Sequence, residues 1–142
     1  MDEWDGLIGP SSGFNLALAP ACSQSELRSA EGELRTTLPA ALRSFLRFSN
    51  GFTDLVSQYP YAWDLSTVVA ENLKHWSSEN LRLERQWLGF GADGIGNWFC
   101  LALHGGADNP VFHWGWIGGE ATEVADGLAS FWPAWLSGRI KV

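Results

Sequence analysis

The spacing of apolar residues changes along the chain, and each change predicts a different element. Between residues 23 and 38 the apolar side chains recur at three- and four-residue intervals, as one helical face does: Leu27, Ala30, Leu34 and Leu38. Ser23 and Glu26 have the spacing of a capping box, which predicts where this helix begins. Pro39 suits the first turn of a second helix over about 39–49, and Asn50-Gly51 should end it.

Two further helices are predicted later in the chain. Ser66 or Thr67 should cap a helix over about 68–78. Asp126 should cap a final helix, and Pro133 should kink that helix or delay its start. The apolar face of this last helix comprises Leu128, Phe131, Trp132, Trp135 and Leu136.

Alternating positions predict strands over 86–91, 97–104, 110–117 and 120–125, and a further aromatic strand over 59–65. Asp93-Gly94 and Gly118-Gly119 supply the positive φ angles that tight hairpin turns need, so consecutive strands should pair as hairpins. Residues 1–22 hold several Gly and Pro residues and are predicted to be irregular, with a short strand through Phe14, Leu16 and Leu18 at most.

The order of predicted elements is helix, helix, strand, helix, several strands, helix. Consecutive hairpins favour an antiparallel sheet over alternating βα units, so we expect an α+β fold. The sheet should have about four to six strands, with helices packed mainly on one face. A length of 142 residues fits a single domain over 1–142.

The chain carries 16 acidic and nine basic residues, giving a net charge of −7. This excess argues against binding of nucleic acid or of an anionic membrane, because both require clustered Lys and Arg. Between residues 86 and 138 there is no Lys or Arg, whereas five acidic residues fall in the same stretch. The start of the chain lacks a basic, apolar leader, and the two cysteines lie far apart in sequence, so we expect a cytoplasmic protein without disulfides.

The segment 89–94 matches the pattern Gly-x-Gly-x-x-Gly. A dinucleotide site needs these glycines between a strand and a helix, but a strand is predicted to follow here. A hairpin turn explains the glycines, so no cofactor is expected.

Other reactive side chains form no recognisable catalytic set. Cys100, His104 and His113 lie in neighbouring predicted strands, yet nothing orders them as nucleophile, base and orienting group, or as metal ligands. No spacing selects a carboxylate pair for glycoside hydrolysis from among Asp93, Asp108, Glu120 and Glu123. We therefore predict no catalytic residue, no metal and no enzymatic activity.

Nine tryptophans are a high count for a chain of this length. One strand parity should face the helices: Leu88, Phe90, Phe99, Leu101 and Leu103. The other parity carries Trp87, Trp98, Cys100, Ala102 and His104. The face taken by Phe112, Trp114 and Trp116 stays open. This second face is either covered by another element or available to a protein partner or a second copy of the chain.

Two stretches resemble the SUKH superfamily, which includes the yeast cell-wall assembly regulator and many bacterial toxin-immunity proteins. The first reads Glu31-x-x-Leu34-x-x-x-Leu38-Pro39-x-x-Leu42-x-x-Phe45-Leu46-x-x-x-Asn50-Gly51. The second reads Phe90-Gly91-x-Asp93-Gly94-x-Gly96-x-x-Phe99-Cys100-Leu101. The resemblance spans about 24–137. Arg35 stands where the family usually has Gly, and Leu42 stands where it usually has an aromatic residue.

The resemblance implies a SUKH-like fold and a protein-binding role, but no active site. For bacterial members it implies immunity: the protein binds a toxin of its own cell line or kin, often a nuclease, and blocks it. An acidic surface suits such a basic partner. The alternative is an intracellular regulatory or scaffold module. We predict that the partner face draws on Asp93, Trp98, Asp108, Trp114, Trp116, Glu120 and Glu123.

Overall fold

The computed structural model describes residues 3–77, 84–103, 109–115 and 118–142. Within these ranges the chain forms five α-helices, namely α1 Glu3–Ile8, α2 Gln24–Leu34, α3 Ala40–Phe48, α4 Leu65–Ser77 and α5 Leu128–Leu136. The same ranges contain seven strands, namely β1 Leu16–Leu18, β2 Phe52–Asp54, β3 Pro60–Ala62, β4 Trp87–Ala92, β5 Trp98–Ala102, β6 Val111–Trp114 and β7 Ala121–Ala125. The α+β prediction is confirmed.

All seven strands form one sheet in the order β1 to β7, and each strand pairs antiparallel with the next. The short strand predicted through Phe14, Leu16 and Leu18 is present as β1. The count exceeds the expected four to six because β2, which was not predicted, has only three residues and is too short to show a period. In such a meander alternate connections emerge at the same end of the sheet. The loops 55–59 and 93–97 and the described residues of the β6–β7 connection, 115 and 118–120, therefore share one end, which we call the loop end.

One face of the sheet packs against the helices and forms the main core. Phe99 and Leu101 lie on this face and are fully buried, as their parity predicts. Trp132 of α5 lies against Phe52 and Phe90, with ring centroids 4.9 and 5.5 Å apart. Edge-to-face contacts of this kind stabilise an aromatic core beyond the area that they bury.

The N-terminal segment is more ordered than predicted. Residues 3–8 form α1, and Trp4 and Ile8 bury one helical face in the main core. The Trp4 indole N–H donates to Ser44 Oγ at 3.0 Å, which ties α1 to α3. The helix has only six residues, so its stability comes from this packing rather than from its own sequence.

The first long helix ends earlier than its apolar stripe. The capping box is confirmed, because Ser23 Oγ accepts from the Glu26 N–H and Glu26 accepts from the Ser23 N–H. α2 stops at Leu34, since Arg35 adopts a left-handed conformation with φ of 59°. Leu38 is buried but lies in the loop before α3.

Two predicted helix starts are also corrected. Neither Ser66 nor Thr67 caps α4; Asp64 Oδ1 accepts from the Thr67 N–H at 2.8 Å, and the helix begins at Leu65. The N-cap of α5 is Gly127, not Asp126, and Pro133 lies inside that helix.

Helix α4 supplies hydrogen-bond partners to the part of β4 that extends beyond the short strand β3 and has no neighbouring strand on that side. Asn72, fully buried, accepts from the Gly89 N–H and donates to the Gly89 carbonyl, both at 2.8 Å. One turn later, the Trp76 indole N–H donates to the Trp87 carbonyl at 2.9 Å. These two side chains supply the hydrogen bonds that a neighbouring strand would otherwise make.

Candidate functional site

The second face of the sheet carries a compact aromatic layer. Trp98 pairs with Trp114 across β5 and β6, and Cys100 pairs with Phe112, so all four side chains share this face. The open question about the parity of β6 is thereby answered for Phe112 and Trp114. Trp98, Cys100 and Trp114 form a second buried cluster separate from the main core.

Further aromatic side chains surround this cluster; Trp63, Trp87 and Phe112 are half-buried and His75 is buried. The Trp63 ring meets the Trp98 ring edge-on at 4.7 Å, and the His75 ring lies 4.1 Å from it. The Trp87 and Phe112 rings are 4.7 Å apart. The outermost aromatic surface of this face therefore belongs to Trp63, Trp87 and Phe112, with Trp98 beneath.

Trp98 and Trp114, which were predicted to contact the partner, therefore lie beneath the surface. Trp98 is 6% exposed and Trp114 is 2% exposed. Their neighbours cover them, so in this conformation they support the surface and offer almost no contact area of their own. Of the two alternatives left open for this face, coverage by neighbouring side chains therefore holds for Trp98 and Trp114.

Asp93 has a structural task in the β4–β5 turn. Its carboxylate is fully covered and accepts from the Ile95 N–H at 2.8 Å, the Asn97 N–H at 3.1 Å and His113 Nε2 at 2.8 Å. Burial alone would raise the pKa of the Asp93 carboxyl, but the hydrogen bonds from His113, Ile95 and Asn97 outweigh burial and lower the pKa below its ordinary value. The carboxylate thus holds the turn rather than facing a partner.

Glu120 and Glu123 are the predicted site residues that the structure places in solvent. Glu120 precedes β7 at the loop end, and Glu123 lies within β7, opposite Phe112. β7 is the last strand in the sheet order, so both carboxylates lie along its edge. Asp108 and Trp116 lie outside the described residues.

The glycines of segment 89–94 are explained by packing and turn geometry. A Cβ on Gly89 would lie 2.5 Å from the Trp98 ring, and one on Gly91 would lie 2.6 Å from the Tyr61 carbonyl oxygen. Gly94 has φ of 91°, which a side chain would strain. The glycines are therefore explained by the packing of the sheet and by the turn.

The two thiols are buried and poorly suited to nucleophilic chemistry. Cys100 is 0% exposed, and burial raises the pKa of its thiol far above the ordinary value. Burial, with smaller contributions from Glu26 and Asp64, raises the pKa of Cys22 to about 11. A thiol with a raised pKa is rarely in the reactive thiolate form.

Three exposed aliphatic side chains at the loop end were not among the predicted site residues. These are Leu55, Val56 and Ile95. Their positions in the sequence offered a signal, because each falls between predicted elements, where an aliphatic residue has no helical or strand face to extend.

The described ranges contain neither a metal-binding cluster nor a membrane-spanning helix. In these ranges no three His, Cys, Asp or Glu side chains are grouped so as to hold a metal ion. None of the helices described has both the length and the apolar character needed to cross a bilayer.

Comparison with known proteins identifies the family. A comparison with curated sequences gives no significant match. The family model of the SMI1 / KNR4 family (SUKH-1) matches residues 21–132, which is most of the chain. The matched range contains both resembling stretches, the Leu38-Pro39 start of α3 and the glycine-rich β4–β5 hairpin. The chain therefore belongs to the SMI1 / KNR4 (SUKH-1) family.

Proposed function

We propose that this chain is a non-catalytic, protein-binding SUKH domain that acts as an immunity protein in the bacterial cytoplasm. It binds a basic toxin, such as a nuclease, and blocks it by occupying the toxin's own binding surface. The observation that carries the proposal is the exposed acidic edge of the sheet, where Glu120 and Glu123 stand in a hairpin that contains no Lys or Arg.

Electrostatic complementarity supports this function. A nuclease holds nucleic acid on Lys and Arg side chains, so an acidic inhibitor is attracted to the same surface and competes for it. Exposed carboxylates act on the association rate, and salt screens them over a distance of about 8–10 Å. Binding should therefore weaken as the ionic strength rises.

The predicted site residues would contribute to partner binding in different ways. Glu120 and Glu123 would contact the partner directly, whereas Trp98 and Trp114 would keep the sheet beneath them rigid. Asp93 would fix the neighbouring turn. Asp108 and Trp116 remain proposed members of the surface.

The test is a pull-down from an extract of the source cells with the tagged protein, washed at low and high salt, with captured proteins identified by mass spectrometry. We expect one dominant basic protein that is released by high salt and whose activity is blocked by this chain. The double variant Glu120→Lys/Glu123→Lys should no longer capture this protein.

The matched control is Glu3→Lys/Glu33→Lys, which changes the net charge equally at exposed positions on α1 and α2. Equal loss of capture by both variants would show that only net charge matters and would reject the β7 surface. Several weakly held partners, none of them toxic, would instead favour the regulatory or scaffold module.

A further inference from the structure

The loop end displays aliphatic side chains that the fold does not use. Among the described residues, four large hydrophobic side chains are exposed, and three of them lie at this end of the sheet. Val56 is 85% exposed, Ile95 is 77% exposed and Leu55 is 58% exposed. We call these three residues the loop-end patch. Exposed aliphatic groups gathered in one place are typical of interaction surfaces.

The two loops that carry the patch are in contact. Tyr59 of the β2–β3 loop packs on the β4–β5 turn, since a Cβ on Gly94 would lie 3.4 Å from its phenol oxygen. Ile95 follows Gly94 directly in that turn. The two loops that carry the patch therefore lie side by side at the loop end.

Both loops are held in fixed shapes by a buried or half-buried aspartate. Asp54 accepts from the Val56 N–H at 3.1 Å and from the Ser57 N–H at 2.7 Å. Asp93 holds the Ile95 N–H in the same way. A surface whose backbone is already ordered loses little conformational entropy on binding.

The sheet hairpins around the patch carry acidic but no basic residues. The three hairpins over 52–62, 87–102 and 111–125 contain no Lys or Arg, and Glu120 is exposed in the third loop. Beside Ile95 a cleft of about 650 Å³ reaches to α4, where Lys74 and Glu71 contribute one charge of each sign. The loop end is thus apolar at its centre and acidic towards β7.

We propose that the loop-end patch is the centre of contact with the protein partner, and that this partner offers an apolar patch bordered by Lys or Arg. The proposal rests on the proposed function and deepens it, because it moves the contact centre from the tryptophans to Leu55, Val56 and Ile95. Glu120 forms the acidic rim that meets the partner's basic border. Apolar residues at the centre and charges at the rim are the usual arrangement of such interfaces.

The test uses photocrosslinking with the whole chain. The photoreactive residue p-benzoyl-phenylalanine replaces Val56, Ile95 or Glu123, and in a control chain it replaces Val142, which is 51% exposed at the C-terminus. Each chain is irradiated in an extract of the source cells, and crosslinked peptides are identified by mass spectrometry. We expect the same basic protein at positions 56 and 95, and not at 142.

Affinity is then measured with that purified protein. The variant Val56→Ser/Ile95→Ser should weaken binding roughly tenfold or more, as the loss of a central apolar contact does. Val142→Ser should leave binding unchanged. Because both changed side chains are exposed, circular dichroism and the melting temperature should match those of the unchanged chain.

The possible results separate the two proposals. The loop-end proposal is overturned, and the proposed function is left standing, if a basic protein crosslinks at 123 but not at 56 or 95. An affinity that Val56→Ser/Ile95→Ser leaves unchanged leads to the same conclusion. A second copy of this chain crosslinked at 56 and 95 overturns the loop-end proposal in favour of self-association. No basic protein at any position contradicts both.

Discussion

Arg35 occupies a backbone conformation that glycine adopts without strain. Its φ of 59° and ψ of 34° lie in the left-handed region, and its N–H donates to the Glu31 carbonyl to end α2. This explains why the family usually has Gly here, since the helix must turn sharply before Leu38 and α3. In this chain an arginine adopts the same conformation at a steric cost.

Replacing Arg35 with glycine should therefore stabilise the protein. We expect Arg35→Gly to raise the free energy of unfolding by about 1 kcal/mol, because the left-handed conformation no longer strains a Cβ. The melting temperature should rise by roughly 3 °C. Thermal unfolding followed by circular dichroism measures both.

The matched control is Arg28→Gly, at an exposed position inside α2. There glycine should lower stability by about 1 kcal/mol, because the helix loses a better helix former. If both substitutions destabilise the protein, the left-handed conformation of Arg35 is contradicted.

Asp93 makes the stability of the β4–β5 turn depend on pH. Its pKa is lowered in the folded state, so the ionised carboxylate stabilises the fold above the ordinary aspartate pKa of about 4. This stabilisation is lost as the pH falls through the lowered pKa, because protonation favours the unfolded state. The unchanged chain should exceed Asp93→Asn in unfolding free energy at pH 7, and the difference should shrink below about pH 4.

Urea denaturation at a series of pH values from neutral to acidic tests this expectation. Glu123→Gln is the control, since its exposed carboxylate lies outside the turn. A difference between the unchanged chain and Asp93→Asn that stays constant as the pH falls would contradict the role given to the Asp93 hydrogen bonds.

Among the elements, α4 is unusual because its side chains make the hydrogen bonds that a strand beside β4 would otherwise make. Asn72→Ala removes the partners of the Gly89 N–H and carbonyl, both in a buried place. We expect a loss of about 2–4 kcal/mol in the free energy of unfolding, since buried polar groups are left without hydrogen bonds.

Chemical denaturation of the Asn72→Ala variant, with Asn15→Ala as the control, measures this loss in the free energy of unfolding. Asn15 is exposed before β1, so its loss should change stability by less than about 0.5 kcal/mol. Similar small effects for both substitutions would mean that the β4 edge is satisfied in some other way, for example by water.

The sequence predicts best those elements that are long enough for a helical or strand period to repeat. The hairpins of β4 with β5 and of β6 with β7 follow from alternation and from their Gly turns. β2 has three residues and α1 has six, which is too short for either period to appear. The early end of α2 was missed because the left-handed Arg35 breaks the helix without a Gly or Pro to signal it.

The candidate surface was less predictable than the fold. Parity places Trp98 on the outer face, but its burial depends on Trp63 and His75, which come from other parts of the chain. Likewise, Asp93 could not be recognised as a covered carboxylate without its bond to His113, twenty residues away in sequence. Side-chain exposure depends on tertiary neighbours that one-dimensional patterns do not contain.

At the scale of the whole molecule, charge and apolar surface are distributed unevenly. The basic residues of the described chain lie in the helices, at the C-cap of α2, in the segment before β4 and at the C-terminus, while the hairpins of the sheet carry none. Glu123 also stands in the edge strand β7, where a charge discourages pairing with a second copy. The edge is thus poorly suited to pairing with an identical acidic chain, and under the proposed function it is left free for a basic partner.

The most direct test of this account is a titration of the captured partner's activity with the purified protein. We predict that the activity falls in proportion to the added protein and disappears at one equivalent, as expected of a stoichiometric inhibitor. The Glu120→Lys/Glu123→Lys variant should require an excess, and Glu3→Lys/Glu33→Lys should behave like the unchanged chain. Full activity in the presence of excess protein, or its loss far below one equivalent, would contradict the account.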